Sequence, residues 1–204
     1  DRALAPVSTQ IISSLNTLSL LYFQQNDLEQ AATYRIESLE LSHKVYGEDN
    51  LETISAMTLL ASIREKQERF DEASGLVTNA VTLYRPTLQA ADSRLTLATM
   101  LTLEARILLK LNRHSEAEPL LQEALEMRRT ELPEGHWQIA NAENLLGEIY
   151  TRKGDYQQAE DLLLPSYKIL NQELGRSDDN TRSALGRVVQ LYKAWNKPEL
   201  AKQY

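Results

Sequence analysis

Gly154-Asp155-Tyr156-Gln157-Gln158-Ala159 is a polar turn followed by a bulky residue, two polar residues and an alanine, and the chain says the same thing five times. The other copies are Asn26-Asp27-Leu28-Glu29-Gln30-Ala31, Glu68-Arg69-Phe70-Asp71-Glu72-Ala73, Asn112-Arg113-His114-Ser115-Glu116-Ala117 and Asn196-Lys197-Pro198-Glu199-Leu200-Ala201. The five alanines stand 42, 44, 42 and 42 positions apart. A constant period of this length is the mark of a stacked-repeat architecture.

Outward from each alanine the pattern persists. Twelve residues earlier stand Ser19, Ala61, Ala105, Gly147 and Val189, and seven later stand Ser38, Ala80, Ala124 and Ser166, nearly all small. Thirteen earlier stand Leu18, Leu60, Glu104, Leu146 and Val188; nine earlier, Tyr22, Arg64, Leu108, Tyr150 and Tyr192. These spacings are helical, and small residues on facing helices let two backbones approach closely. The pattern predicts helices over 8–25, 28–46, 51–67, 71–89, 94–111, 115–131, 137–153, 156–174, 180–195 and 198–204. Asp27, Asp71, Ser115 and Asp155 are the expected N-caps, with Ser115 and Glu118 as a capping box. Pro198 suits a first helical turn, and Gly47 and Gly175 suit left-handed positions just past a helix. Asp49, Asn50, Asp92, Ser93, Asp179 and Asn180 lie just before the helices that follow.

The fold expectation is all-α: an α-solenoid, a right-handed superhelix of antiparallel helix pairs. Residues 1–7 are expected to be the tail of a preceding element or disordered. Residues 8–204 form the array, with repeats at about 8–50, 51–93, 94–136 and 137–179 and a partial one at 180–204.

Composition narrows the function. The chain has 204 residues, 25% charged and 42% hydrophobic, with 7 glycines, 6 prolines and a net charge of −7. That is a folded chain, and an acidic one is a poor general binder of nucleic acid. The absence of cysteine removes disulfides, thiolate catalysis and every Cys-based metal site, and suits a reducing, cytoplasmic setting. Apolar runs such as Leu59–Ile63 and Ile107–Leu109 are far too short to span a bilayer, so no membrane partner is expected. His43, His114 and His136 sit in different repeats, and no His-x-x-x-His, calcium-loop or phosphate-loop motif occurs. The expectation is therefore no enzyme, no metal and no cofactor. Tyr22, Tyr150 and Tyr192 read as core, whereas Tyr34, Tyr84, Tyr167, Trp137 and Trp195 read as packing between repeats.

Leu146-Gly147-Glu148-Ile149-Tyr150 matches the Leu-Gly-x-x-Tyr element of tetratricopeptide repeats, and Leu18-Ser19-Leu20-Leu21-Tyr22 is close to it. With the alanine-anchored turn and the later small residue, the chain resembles long tetratricopeptide arrays of the kinesin-light-chain type over residues 8–204. It departs from the short form of the family. The large residue early in the first helix is Leu15, Met57, Leu101, Glu143 or Leu185, never Trp, and no Pro stands at the usual end of the second helix. Ala117-Glu118-Pro119-Leu120-Leu121 and Leu132-Pro133-Glu134-Gly135-His136-Trp137 are similar to arrays attached to bacterial serine/threonine kinases and other signalling proteins, although no kinase element is present.

The resemblance implies that first helices line a concave groove that binds protein segments. Counting back from each alanine gives the rows expected to face it. Fifteen back are Asn16, Thr58, Thr102, Asn144 and Gly186; eleven back, Leu20, Ser62, Arg106, Glu148 and Gln190. Eight back are Phe23, Glu65, Leu109, Thr151 and Lys193; seven back, Gln24, Lys66, Lys110, Arg152 and Ala194. The first row reads either as a ladder for a peptide backbone or as a solvated polar face. Lys66, Arg106, Lys110, Arg152 and Lys193 against Glu65 and Glu148 give 5 − 2 = +3 on a chain of −7. A groove of opposite sign to its protein points to an acidic ligand. The expected site is Asn16, Leu20, Phe23, Thr58, Lys66, Thr102, Arg106, Lys110, Asn144 and Arg152, holding an extended acidic peptide with a hydrophobic side chain near Phe23. For Phe23 the competing reading is packing against a preceding repeat. The pairs Asn16/Leu20 and Thr58/Ser62 lack the Lys–Asn order that chaperone-tail binding requires in the family. Rival readings are a structural segment that self-associates through the array ends, a closed superhelix holding a small molecule, and an enzyme.

Overall fold

A computed structural model describes residues 4–87 and 91–204, with side chains over 7–87 and 93–204. Among the described residues the chain is helical throughout, without strands. The helices are α1 (Leu4–Gln24), α2 (Leu28–Tyr46), α3 (Leu51–Lys66), α4 (Phe70–Tyr84), α5 (Ala91–Lys110), α6 (His114–Glu131), α7 (Trp137–Lys153), α8 (Tyr156–Glu173), α9 (Asp179–Ala194) and α10 (Pro198–Ala201). Among the described residues no helix is long and apolar enough to cross a membrane. The start expected at residue 8 comes earlier, at Leu4, and the rest of the expected N-terminal tail lies outside the described residues; Asp92 and Ser93, expected just before a helix, fall inside α5, which begins at Ala91.

Packing divides the chain into two units. The first runs from α1 through α4 and takes in Ile107–Asn112; the second comprises Arg94–Arg106 and Arg113–Tyr204. In the first, α1 packs on α2, α2 on α3 and α3 on α4. In the second, α6 packs on α7, α7 on α8, α8 on α9 and α9 on α10, and the first helices α7 and α9 also meet.

The repeated phrase is a helix-ending motif. Five residues before each anchor alanine stand Asn26, Glu68, Asn112, Gly154 and Asn196, and these five have φ of 62°, 60°, 59°, 85° and 56°. The next residue donates its N–H back across the turn, Asp27 to the Tyr22 carbonyl at 2.9 Å, Arg69 to Arg64 at 2.9 Å, Asp155 to Tyr150 at 3.0 Å and Lys197 to Tyr192 at 2.8 Å. That is the Schellman closure, which satisfies carbonyls a helix end leaves orphaned. Gly adopts the left-handed conformation freely and Asn tolerates it; Glu68 is the one of these five residues that is neither.

This turn also sets where the second helices begin. Asp27 is the N-cap of α2, its carboxylate accepting from the Gln30 N–H at 3.1 Å, and Asp155 holds the same place in α8 without a side-chain bond. The caps of α4 and α6 are Arg69 and Arg113 rather than Asp71 and Ser115, because each helix starts two residues after its left-handed residue. The Ser115–Glu118 capping box therefore does not form. Arg69 and Arg113 instead donate at 2.7 Å to Glu72 and Glu116, three residues on. Helix α4 ends at Tyr84, followed by a 3₁₀ turn over Arg85–Thr87, instead of running on to 89. Pro86 lacks the N–H that the next α-turn needs, so the α-helix stops although Arg85 itself keeps helical dihedrals of φ −50° and ψ −41°. The cap of α9 is Asp178, whose carboxylate accepts from the Asn180 N–H at 2.8 Å.

The small rows are the packing seam. Ala31, Ala73, Ala117 and Ala159 are fully buried, as are Ser38, Ala80, Ala124 and Ser166. Ser19 donates to the carbonyl of Ala31 at 2.8 Å, so its hydroxyl is satisfied within the seam. Gly147 faces Leu163 so closely that a Cβ there would lie 2.6 Å from the Leu163 Cγ. Of the aromatics, Tyr192 and Tyr84 are buried, and Trp195, the residue that caps the end of α9, stacks on Tyr156 of α8 at 5.7 Å. Tyr34 stacks on Tyr22 at 5.4 Å inside one helix pair, rather than between repeats.

Candidate functional site

The first unit places Asn16, Leu20 and Phe23 on α1 and Thr58 and Lys66 on α3. Asn16 does not project as a free rung. Its Oδ1 accepts from Arg35 Nη1 at 2.5 Å and from Ser38 Oγ at 2.7 Å, both on α2. Arg35 is buried, and burial lowers its pKa. The asparagine oxygen thus serves to hold a desolvated guanidinium. Thr58 turns its hydroxyl back to the Ile54 carbonyl at 2.9 Å.

Leu20 and Phe23 behave differently from Asn16. Phe23 is half-buried and packs on a cluster containing Ala31, Ala32, Leu60 and Ile63, so elements of its own unit support it. The Lys66 ammonium sits over its ring, 5.2 Å from the centroid. Leu20, one turn back, is 51% exposed. The three make a cation, an aromatic face and an open aliphatic side chain in one neighbourhood. Lys110 is exposed and lies in the stretch that groups with this unit.

In the second unit Thr102 is buried, donating to the Ala98 carbonyl at 2.7 Å. Arg106 is half-buried. Asn144 is fully buried: its amide donates to Ser166 Oγ at 3.0 Å, and its oxygen accepts from Arg187 Nη1 at 3.0 Å. Arg187 Nε also donates to Glu148 at 2.6 Å, and Arg152 reaches the other Glu148 oxygen at 2.9 Å. Burial pushes the Glu148 carboxyl up, but Arg187 and Arg152 outweigh it and hold the group below its usual range. The expected solvent-facing ladder is thus closed at Asn144 and Thr102. Helix packing draws these short side chains inward, where each must find a partner.

Arg187 is the residue that spacing does not reveal. It lies fourteen before Ala201, in a row otherwise filled by Thr17, Leu59, Leu103 and Leu145. Its one signal is a separation of 43 residues from Asn144, a repeat period plus one, which a long side chain can bridge. It gives this face two arginines around one carboxylate. Nearby, Arg128 is buried and donates to the carbonyls of Gln138 at 3.0 Å and Ala98 at 3.3 Å. Desolvation pushes its pKa down to about 10, so it remains a cation at neutral pH and acts as a strut between helices. Among the described residues no three His, Asp or Glu side chains gather as a metal site needs. A hollow of about 400 Å³ beside Leu60 and Leu76, and another of about 440 Å³ beside Ile139 and Ile169, contain none of the expected groove residues.

The tetratricopeptide repeat profile matches residues 10–85 and 138–204, and a second profile of the same repeat matches residues 102–169. No curated protein matches the chain. Among solved structures, the chain is similar to BtubC (BKLC) of P. vanneervenii, with 21% identity and a TM-score of 0.74 over 99% of this chain and 81% of that one. It is similar at 18% identity to a protein of nearly identical TPR-like repeats assigned as a kinesin light chain of Podosopora anserina, with a TM-score of 0.73 over 94% of this chain and 90% of the other. It also matches the MamA protein, at 13% identity and a TM-score of 0.61 over 96% and 88% of the two chains. At these identities the likeness speaks for the fold: a tetratricopeptide α-solenoid of the kinesin-light-chain-like type.

Proposed function

Because the chain belongs to the tetratricopeptide repeat family, whose arrays serve protein–protein interaction, we propose that it is a recognition module for an extended acidic peptide, within a larger regulatory or signalling protein of the cytoplasm. The observation that carries this reading is the group of Leu20, Phe23 and Lys66 in the first unit. An exposed leucine beside an aromatic face under an ammonium suits a hydrophobic side chain flanked by carboxylates. Thr58 and Lys110 belong to the same proposed face. In the second unit Arg106, Arg152 and Arg187 supply the cations; Glu148 neutralises part of that charge, so an incoming carboxylate would compete with it for the arginines. Asn16 and Asn144 support these faces as positioning residues, their side-chain oxygens being committed to arginines.

The test uses labelled twelve-residue peptides with one Leu, Phe or Trp among Asp and Glu, beside copies carrying Asn and Gln, read by fluorescence anisotropy. Acidic peptides should bind, and binding should weaken with salt. Lys66→Glu and Leu20→Asp should each weaken it by about tenfold or more. Equal binding of acidic and amide peptides, or indifference to both substitutions, overturns the reading.

A further inference from the structure

Glu148 divides its carboxylate between two helices. Its Oε2 accepts from Arg187 Nε of α9 at 2.6 Å, and its Oε1 accepts from Arg152 Nη2, one turn along α7, at 2.9 Å. A carboxylate given wholly to one guanidinium takes two parallel N–H bonds, and that fork is the strongest pairing the two groups make. Here each arginine receives one oxygen of Glu148. Arg187 Nη1 is committed to the Asn144 side-chain oxygen at 3.0 Å, and Arg187 Nη2 has no partner among the described residues. Half of the fork on the Nε–Nη2 edge is therefore unmade.

The guanidinium does not depend on Glu148 for its position. Asn144 donates to Ser166 Oγ at 3.0 Å, and Ser166 donates to the Leu163 carbonyl at 3.1 Å, so the acceptor that holds Nη1 is itself fixed from α8. Packing does not call for this arrangement either: Leu103 and Leu145 fill the same row as buried apolar contacts where α9 carries Arg187. Neither member of the pair is sealed in, the Arg187 side chain being 17% exposed and that of Glu148 21%.

On the acidic-peptide reading above, we propose that Glu148 is a built-in competitor: it occupies Arg187 in the free chain and yields it to a ligand carboxylate while keeping Arg152. The incoming group makes both bonds of the fork where Glu148 makes one, and Glu148 retains a cation, so the exchange strands no buried charge. An amide oxygen brings no charge and cannot displace a carboxylate from a guanidinium. The contact thus lowers the affinity for every ligand and lowers it most for uncharged ones, which is how a competitor inside a site sharpens specificity.

This gives Glu148→Gln opposite effects on stability and binding, which a residue with a purely structural role does not produce. The probes are the acidic twelve-residue peptide and its amide copy, read by fluorescence anisotropy, with circular dichroism to show that each variant is folded. Glu148→Gln should bind the acidic peptide about tenfold or more tighter than the unaltered chain, although it removes a stabilising ion pair. Glu126→Gln makes the same change of charge at an exposed position of α6 and should alter binding by less than about threefold. Arg187→Lys keeps the charge but loses the fork. Alone it should weaken acidic-peptide binding by about fivefold or more, and added to Glu148→Gln it should cancel most of the gain. A Glu148→Gln variant that gains no more than Glu126→Gln, a gain that survives Arg187→Lys, or indifference of the unaltered chain to Arg187→Lys each overturns the proposal and leaves the peptide reading standing. If neither the unaltered chain nor Glu148→Gln prefers the acidic peptide to its amide copy, both fall.

Discussion

Gly147→Ala adds one methyl group and should destabilise the second unit, although alanine is the better helix former. The new Cβ would stand 2.6 Å from the Leu163 Cγ, 2.7 Å from its Cδ2 and 3.4 Å from the Ala159 carbonyl oxygen. Carbon atoms settle at about 3.5–4.0 Å, so Leu163 must retreat by roughly 1 Å. Leu163 is fully buried, and its Cγ lies too near its own backbone to swing aside alone. Overpacking of this kind costs about 1–3 kcal/mol, and replacing a mid-helix glycine returns about 1 kcal/mol. The net expectation is a loss of up to about 2 kcal/mol, visible as a lower urea midpoint at unchanged slope. Leu163→Ala alone should cost about 2–5 kcal/mol by opening a cavity. In that background Gly147→Ala no longer meets the branched carbon and should stabilise by about 1 kcal/mol, so the two substitutions couple with opposite sign. If Gly147→Ala stabilises the unaltered chain, or has the same effect in both backgrounds, close approach is not why glycine stands there.

Gly186 lies within α9 with nothing inside 4 Å of an ideal Cβ, so Gly186→Ala should stabilise by about 1 kcal/mol in the same urea titration; a loss would mean that position is in contact. Glu68 holds φ of 60° where equivalent turns use Asn or Gly, so Glu68→Gly should stabilise by about 1 kcal/mol, and a lower melting temperature would contradict the assigned strain. Glu148 titrates lower in the folded chain than its unfolded value of about 4.3, so the folded state binds fewer protons through that window. Its stabilisation is complete above about pH 4.3 and is lost as pH falls through the folded value. Thermal melts from about pH 7 to 3 should therefore fall more steeply for the native chain than for Glu148→Gln, and parallel curves would show that the two arginines do not hold this carboxylate.

The architecture was legible in the sequence because each repeat solves the same local problem. A second helix must return across a first at close range, so a small residue recurs at Ala31, Ala73, Ala117 and Ala159, and again twelve before and seven after. The left-handed turn was present as Asn26, Asn112, Gly154 and Asn196, but the cap positions came out two residues late, at Asp71 and Ser115 instead of Arg69 and Arg113. Side-chain preference for a cap is weaker than the backbone turn that decides where the helix starts. The proposed site was legible only where a residue answers to its own helix: Leu20 and Phe23 follow from their row. Asn16 and Asn144 occupy the same row, yet both are drawn into arginine partners, one of them 43 residues away. Ile11, Leu18 and Leu21 of α1 are exposed, yet they are as apolar as the residues buried at the same places in α3 and α9, and nothing in their own segment distinguishes them. Periodicity records which face of a helix is apolar. Whether that face is buried depends on the neighbour packed against it, which is a property of tertiary structure and not of the residues themselves.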